Sequence, residues 1–362
     1  LKKPDLQLER MRQRLAEKRN LRTQFRKRYG AQLSRQKHAS NIVAPRVLSV
    51  SRNGTETLSF LQQFKDAALS THRFKFRGRW RYRELFVDFS KVEEISVPVA
   101  VIIAAELDRW ARIRKTQLRA RNSKRWHPRV RQLMDHIGAF ELLGIRTPVR
   151  EAELFSKELF ILKIRSGEKS DNEKVHKLQT ELARIGTDTP RFTPKKYVFE
   201  GLSEAVVNCI DHAYPTTGGT PPKFPYAGHR WWASACVDPD KESLRFFVYD
   251  QGVGIPATIE TKKGWLDDIA ARLKSVSFLK YHANLIEGAV EVGRTSTGLA
   301  GRGKGLKQMV EVIDNAGSGN IRIISGRGDV TIDHQNVVEK SNLSSHIGGT
   351  LIEWSIPIDA FM

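Results

Sequence analysis

Cysteine is almost missing from this chain: its 362 residues include two, Cys209 and Cys236. Two thiols build neither a disulfide framework nor a zinc cluster, which makes a reducing compartment, the cytoplasm, the expected location. Long apolar runs are missing as well. The longest, from Val97 to Ala105, is interrupted by Pro98 and falls well short of the ~20 residues a helix needs to cross a bilayer. No apolar stretch close to Leu1 has the make-up of a signal peptide, so no membrane partner is expected. Acidic residues are sparse in two regions. Residues 1–40 set 13 Lys and Arg against 3 acids, and residues 73–131 set 17 against 6. The remainder is close to neutral, so the net charge of +21 sits almost wholly in those two segments. Such segments suit a polyanion or an acidic protein partner.

What is present, 40% apolar and 28% charged residues, is the make-up of a globular protein with room for two domains. Leu6, Leu8, Met11, Leu15, Leu21 and Phe25 form a broken apolar stripe among arginines and predict a basic helix over 5–29, in an arm of residues 1–40. Ile42–Val50 reads as a strand and Glu56–Leu69 as a helix. From Arg73 to Arg83 basic residues take the odd positions, with Phe74, Phe76, Trp80 and Tyr82 between them. On one strand that alternation separates basic from aromatic faces, and Gly78 allows a hairpin instead. Strands over Leu85–Phe89 and Gln117–Arg121 and helices over Pro98–Trp110 and Pro128–Leu143 complete a small α/β unit, 42–148. A strand over Phe155–Ile164 and a helix over 172–185 follow, with His176 read as a solvated surface residue. Then come a helix over 196–214, a hairpin of Trp231–Val237 with Leu244–Tyr249, and helical texture at Leu266–Lys280. The chain continues with a helix over Leu306–Asn315 and strands over Ile321–Ser325, Val330–Asp333 and Thr350–Ile356.

Three segments carry candidate chemistry. On the helix over 196–214, Glu204, Asn208 and the pair Asp211 and His212 share one face. A carboxylate and an amide one turn apart can hold water and Mg²⁺ beside a phosphate, with Glu204 as base and Asn208 and Glu204 as metal ligands. An ordinary helix with a polar face has the same pattern. Asp250 ends an apolar strand and is followed by Gly252, Gly254 and Ile255. A carboxylate there can accept a hydrogen bond from an adenine amino group, although Asp-x-Gly is also a plain turn signal. Gly301, Arg302, Gly303, Lys304, Gly305 and Leu306 run into a helix. Glycines at a helix N-terminus offer backbone N–H groups to phosphate.

In this order the segments resemble the motifs of the GHKL superfamily, which includes gyrase, the heat-shock chaperones, histidine kinases, MutL and the anti-sigma serine kinases. Gly349 and Thr350 match its last motif, in which threonine assists adenine recognition. The resemblance spans about 152–358 and implies a Bergerat-type ATP-binding domain, 152–362, with helices on one face of a mixed sheet and an ATP lid over 257–300. The wording from Leu202 to Asn208 is similar to that of the anti-sigma kinases, whereas Asp211 stands where gyrase and MutL carry aspartate. Val87–Ser96, followed by a helix, resembles the centre of STAS domains, with Val97 where phosphorylated members carry serine. The fold class expected is therefore α/β, as an α+β two-layer ATP-binding domain behind a STAS-like domain and a basic helical arm. ATP and Mg²⁺ are the implied ligands and an ATPase switch the implied activity. A protein kinase of the anti-sigma type and a nucleotide-gated scaffold without turnover are the alternatives. Nucleic acid or an acidic protein on 1–40 and 73–131, and an ATP-dependent homodimer, are the implied partners.

Overall fold

The structure, a computed structural model, describes residues 41–69, 73–76, 79–82, 86–115, 117–146, 160–168, 176–177, 179–181, 195–215, 229–238, 242–261, 264–273, 277–295 and 304–361. The basic arm 1–40, with its helix over 5–29, lies outside them, as do residues 155–159 and most of the helix expected over 172–185. His176 is exposed, as expected. Among the described residues no helix is long and apolar enough to cross a membrane.

The architecture is mixed α/β. The N-terminal unit opens with β1 (Asn41–Val43), β2 (Val47–Leu48) and α1 (Gly54–Leu69). The single strand expected over 42–50 is thus two, because Pro45 has no N–H to give a ladder between them. Next come β3 (Arg73–Phe76), β4 (Arg79–Tyr82), β5 (Phe86–Asp88), β6 (Glu94–Ile95), α2 (Val97–Arg114) and β7 (Arg119–Arg121). β1, β5 and β7 form a parallel sheet, and β2 pairs in parallel with β6. The helix expected over 128–143 is broken into α3 (Pro128–His136) and α4 (Ala139–Leu142). Gly138, at φ +87°, makes the break in a left-handed conformation that helix interiors exclude.

The β3–β4 hairpin corrects the separation of basic and aromatic faces. A two-residue connection reverses the parity between its strands. Arg73 therefore lies opposite Tyr82, Phe74 opposite Arg81, Lys75 opposite Trp80 and Phe76 opposite Arg79. Directly opposed residues share a face, so each face mixes two basic with two aromatic positions.

The larger sheet begins with β8 (Phe160–Ile161) and β9 (Arg165–Gly167), both paired with β10 (Trp231–Asp238). Helix α5 (Lys196–His212) lies between them in sequence, and β11 (Ser243–Asp250) follows. Three helices come next, α6 (Ile255–Thr261), α7 (Trp265–Leu273) and α8 (His282–Thr295), then α9 (Lys304–Ala316). Strands β12 (Asn320–Ser325), β13 (Gly328–Asp333), β14 (Val338–Asn342) and β15 (Thr350–Pro357) complete the order β14-β13-β12-β15-β11-β10-β8. Every pairing among these described strands is antiparallel, not mixed.

Both faces of this sheet are covered, one by the helices of its own unit and the other by the N-terminal unit. Trp231, Ala233, Ala235 and Val237 of β10 pack with the core under α5, α8 and α9. Trp232 and Cys236, one step out of phase, pack with the core of the N-terminal unit. β11 divides in the same way, with Phe246 and Val248 on the first side and Phe247 and Tyr249 on the second. Helix α2 packs against β10 and β11 and against α1 and α4, so its first half is enclosed and Val99 to Ala105 are all buried, with an apolar run there in place of a stripe. Part of the segment expected as a lid is core too: Ala283, Ile286 and Val290 of α8 pack against the sheet.

Trp354 is fully buried, stacks on Phe246 at 4.5 Å and donates from Nε1 to the Met309 carbonyl at 2.8 Å. Trp354→Ala is expected to lower unfolding free energy by about 3–5 kcal/mol, read from the urea midpoint at unchanged m-value.

Candidate functional site

Helix α5 buries Val198, Leu202, Ala205, Val206 and Cys209 against the sheet. That packing leaves Glu204 and Asn208 half-buried at its flank and Asp211 and His212 exposed at its last turn. A cavity of about 250 Å³ opens there. Glu204, Asn208, Asp211, His212, Asp250, Gly254, Ile255, Gly305, Leu306 and Thr350 all line it. Gly252 is not among its walls and stands in the turn behind Asp250. Lys304 opens α9, its side chain is not described, and Gly301, Arg302 and Gly303 lie outside the described residues.

At one end of the cavity the first and third motifs meet. Asn208 donates from Nδ2 to the Glu204 carbonyl at 2.9 Å and to Glu204 Oε1 at 3.2 Å. A Cβ built at Gly305 would fall 2.5 Å from Asn208 Nδ2 and 2.9 Å from Asn208 Oδ1, and still closer to Glu204 Oε1. Glycine is the residue that lets the start of α9 sit against this pair, so its N-terminal N–H groups open beside a carboxylate and an amide. Burial raises the Glu204 carboxyl above the usual range; the Asn208 hydrogen bond opposes the shift and the Asp211 charge adds to it. A carboxylate made more basic in this way suits proton abstraction.

At the other end Asp250 and Thr350 are direct partners across β11 and β15. Asp250 accepts from the Gly252 backbone N–H at 2.8 Å and lies 3.7 Å from Cys209 Sγ. Burial pushes its carboxyl up to about 6, against the pull of hydrogen bonds from Gly252 and Thr350. The Cys209 thiol, itself pushed well up by burial and then by the Asp250 charge, is a packing residue as its position on α5 implies. The turn after Asp250 is locked to the end of α5. Val253 N donates to the Ala213 carbonyl at 2.9 Å, and a Cβ at Gly252 would collide with that same carbonyl.

Ser325 carried no signal in the sequence beyond ending a strand. It is fully buried and joins three segments: its Oγ accepts from Ile255 N at 2.8 Å and lies 2.8 Å from Thr350 Oγ1. The apolar walls Met309, Ile352 and Ala289 were likewise legible only as core positions. Apolar walls beside a buried carboxylate and a hydroxyl fit an aromatic base with an exocyclic amino group. Oxygen donors beside helix N–H groups fit a phosphate with a hard cation. Among the described residues no cluster of three or more His, Cys, Asp or Glu side chains gathers to hold a metal. Magnesium needs none, because it keeps several waters and shares phosphate oxygens.

Among the ten basic residues from Arg109 to Arg131, Arg109 is buried and paired with Glu106 at 2.6 Å, so it does not belong to a basic surface. Lys115, Arg119, Lys124, Arg125 and Arg129 are exposed. No protein-family model matches the chain, and no curated protein matches it in sequence.

Ser325→Ala removes the acceptor of the Ile255 N–H and the partner of the Thr350 hydroxyl. The expected loss is about 1–3 kcal/mol, measured by chemical denaturation; an unchanged midpoint would show that Ser325 does not bind these segments together.

Proposed function

We propose that the chain is a GHKL-type ATPase that binds ATP with Mg²⁺ in this cavity, and that hydrolysis switches its hold on a partner. One observation carries the reading: Gly305 brings the N-terminus of α9 against Glu204 and Asn208, while Asp250 and Thr350 close the opposite end of the same cavity. The adenine amino group donates to Asp250, with Thr350 beside it. Asn208 would hold Mg²⁺ together with phosphate oxygens and waters, which would neutralise phosphate charge and leave Glu204 free as the base. Glu204, half-buried and more basic than usual, takes the proton of the attacking water. Asp211, on the cavity wall, favours water over a protein hydroxyl as acceptor. The sheet backed on one face by α5, α8 and α9 supports a Bergerat-like domain, although its described pairings are antiparallel, and the parallel strands of the N-terminal unit support a STAS-like one. The exposed Lys115, Arg119, Lys124, Arg125 and Arg129 favour a polyanionic partner, nucleic acid or acidic protein.

Phosphate release from ATP, measured beside phosphotransfer to candidate proteins, tests the reading. Glu204→Gln is expected to cut kcat about 10²–10⁴-fold while ATP still binds. Phosphate delivered to a protein side chain would make the chain a kinase, and binding without any phosphate release a scaffold.

Recognition through Asp250 also fixes a pH dependence. The acceptor is the ionised carboxylate, whose value in the free protein is about 6. Protonation therefore removes it as pH falls through 6, and affinity is expected to drop about tenfold from pH 7.5 to pH 5. Asp250→Asn is expected to bind ATP about 10-fold to 100-fold more weakly at pH 7.5 and to lose most of that pH dependence, both read by titration calorimetry.

A further inference from the structure

Charged groups of the N-terminal unit reach the chain segments beside Asp250 and Thr350, two residues of the cavity wall. Lys65 of α1 and Glu106 and Arg109 of α2 are each buried to about 1% exposure, between the two units. Glu106 Oε2 accepts from Arg109 Nε at 2.8 Å and lies 2.6 Å from its Nη2. Glu106 Oε1 accepts from Gln251 Nε2 at 3.0 Å and lies 3.7 Å from Lys65 Nζ. Lys65 Nζ donates in turn to the Ile347 carbonyl.

Gln251 and Ile347 are informative addresses. Gln251 directly follows Asp250, and Ile347 precedes Thr350 by three residues. The Gln251 amide is held at Nε2 by Glu106, while its buried Oε1 has no hydrogen-bond partner among the described residues. Its backbone N–H donates to Tyr214 Oη at 3.0 Å. The adjoining turn is braced by Tyr249 Oη, which donates to the Gly348 carbonyl at 2.8 Å. One cluster in the N-terminal unit thus grips both chain segments that present the base-recognition groups. Buried ion clusters are poor sources of stability, because desolvation offsets their attraction, and they leave an uncompensated charge when one member moves.

We propose that Glu106 and Lys65 are positioning residues, which hold Gln251 and the 347–349 turn so that Asp250 and Thr350 face the base. The N-terminal unit thereby sets nucleotide affinity, and by reciprocity bound nucleotide biases the N-terminal unit. The inference rests on the nucleotide reading of the cavity.

The test is a double-mutant cycle on the full chain with a fluorescent, non-hydrolysable ATP analogue. Glu106→Gln and Gln251→Met are each expected to weaken binding about tenfold, with kcat at saturating ATP held within about twofold. Because both cut one link, the double variant is expected to lose about tenfold as well. Losses that multiply to about a hundredfold, or a fall in kcat at unchanged affinity, would overturn the proposal. Hydrogen exchange supplies a readout without nucleotide. Amides of 251–252 and 347–350 are expected to exchange about tenfold faster in Glu106→Gln while β12 and β13 keep their protection. Unchanged exchange there, or a uniform rise, would also overturn it. A wild-type chain that binds no analogue yet shows the local exchange change would sink the ATP reading and leave the positioning link standing. Lys65→Met, expected to loosen 347–350 alone, serves where Glu106→Gln does not fold.

Discussion

The pairing of β11 with β15 is the constraint on which the rest depends. Eight residues run in antiparallel register from Ser243 opposite Pro357 to Asp250 opposite Thr350. Both strands are central and buried on both faces. A slip of one residue would send Phe246 and Trp354 from one core to the other. A slip of two would keep the faces but part Asp250 from Thr350. Burial therefore sets parity, and the turn at 347–349 with its grip on Tyr249 sets position. The carboxylate and hydroxyl at the end of the cavity stand side by side because two cores and one turn agree on a single register.

Legibility from sequence followed the reach of each signal. Glu204 with Asn208, Asp250 with its glycines, and Gly305 at the head of α9 are local patterns, and the structure brings them around one cavity. Features that depend on what lies across space were not legible. Alternation along β10 and β11 could not say that a second unit covers the far face, since strands buried on both sides read as apolar runs. The arginine–aromatic alternation over 73–83 separates the two kinds along a single strand, and the hairpin that Gly78 allows mixes them across the pair, because a two-residue turn changes parity. β14 has the sequence of Val338–Asn342 and is largely exposed, so no apolar period marked it. Ser325 and Gln251 carry no motif of their own; their meaning comes from partners 25 and 145 residues away.

Arg109 shows why charge counts mislead at single positions. It belongs to a segment rich in Lys and Arg, and it is one of the least exposed residues in the chain. Its stem and those of Glu106 and Lys65 fill space between the units, and their heads meet at the Glu106 carboxylate. The amide of Gln251 joins them there, one residue past the end of the strand that carries Asp250.

Glu204 and Asp250, two of the carboxylates that line the cavity, are both less acidic than usual and for the same leading reason, loss of water. Their surroundings divide their roles. Asp250 is almost wholly buried on the cavity wall, with a backbone N–H, a thiol and Thr350 around it, so its oxygens serve recognition. Glu204 is half-buried on the same wall, beside an amide and a helix N-terminus, where water can reach it and a proton can leave. A base must exchange its proton with solvent after each turnover, whereas an acceptor for an amino group needs only to stay ionised. The difference in burial between these two side chains is what separates chemistry at one end of the cavity from selection at the other.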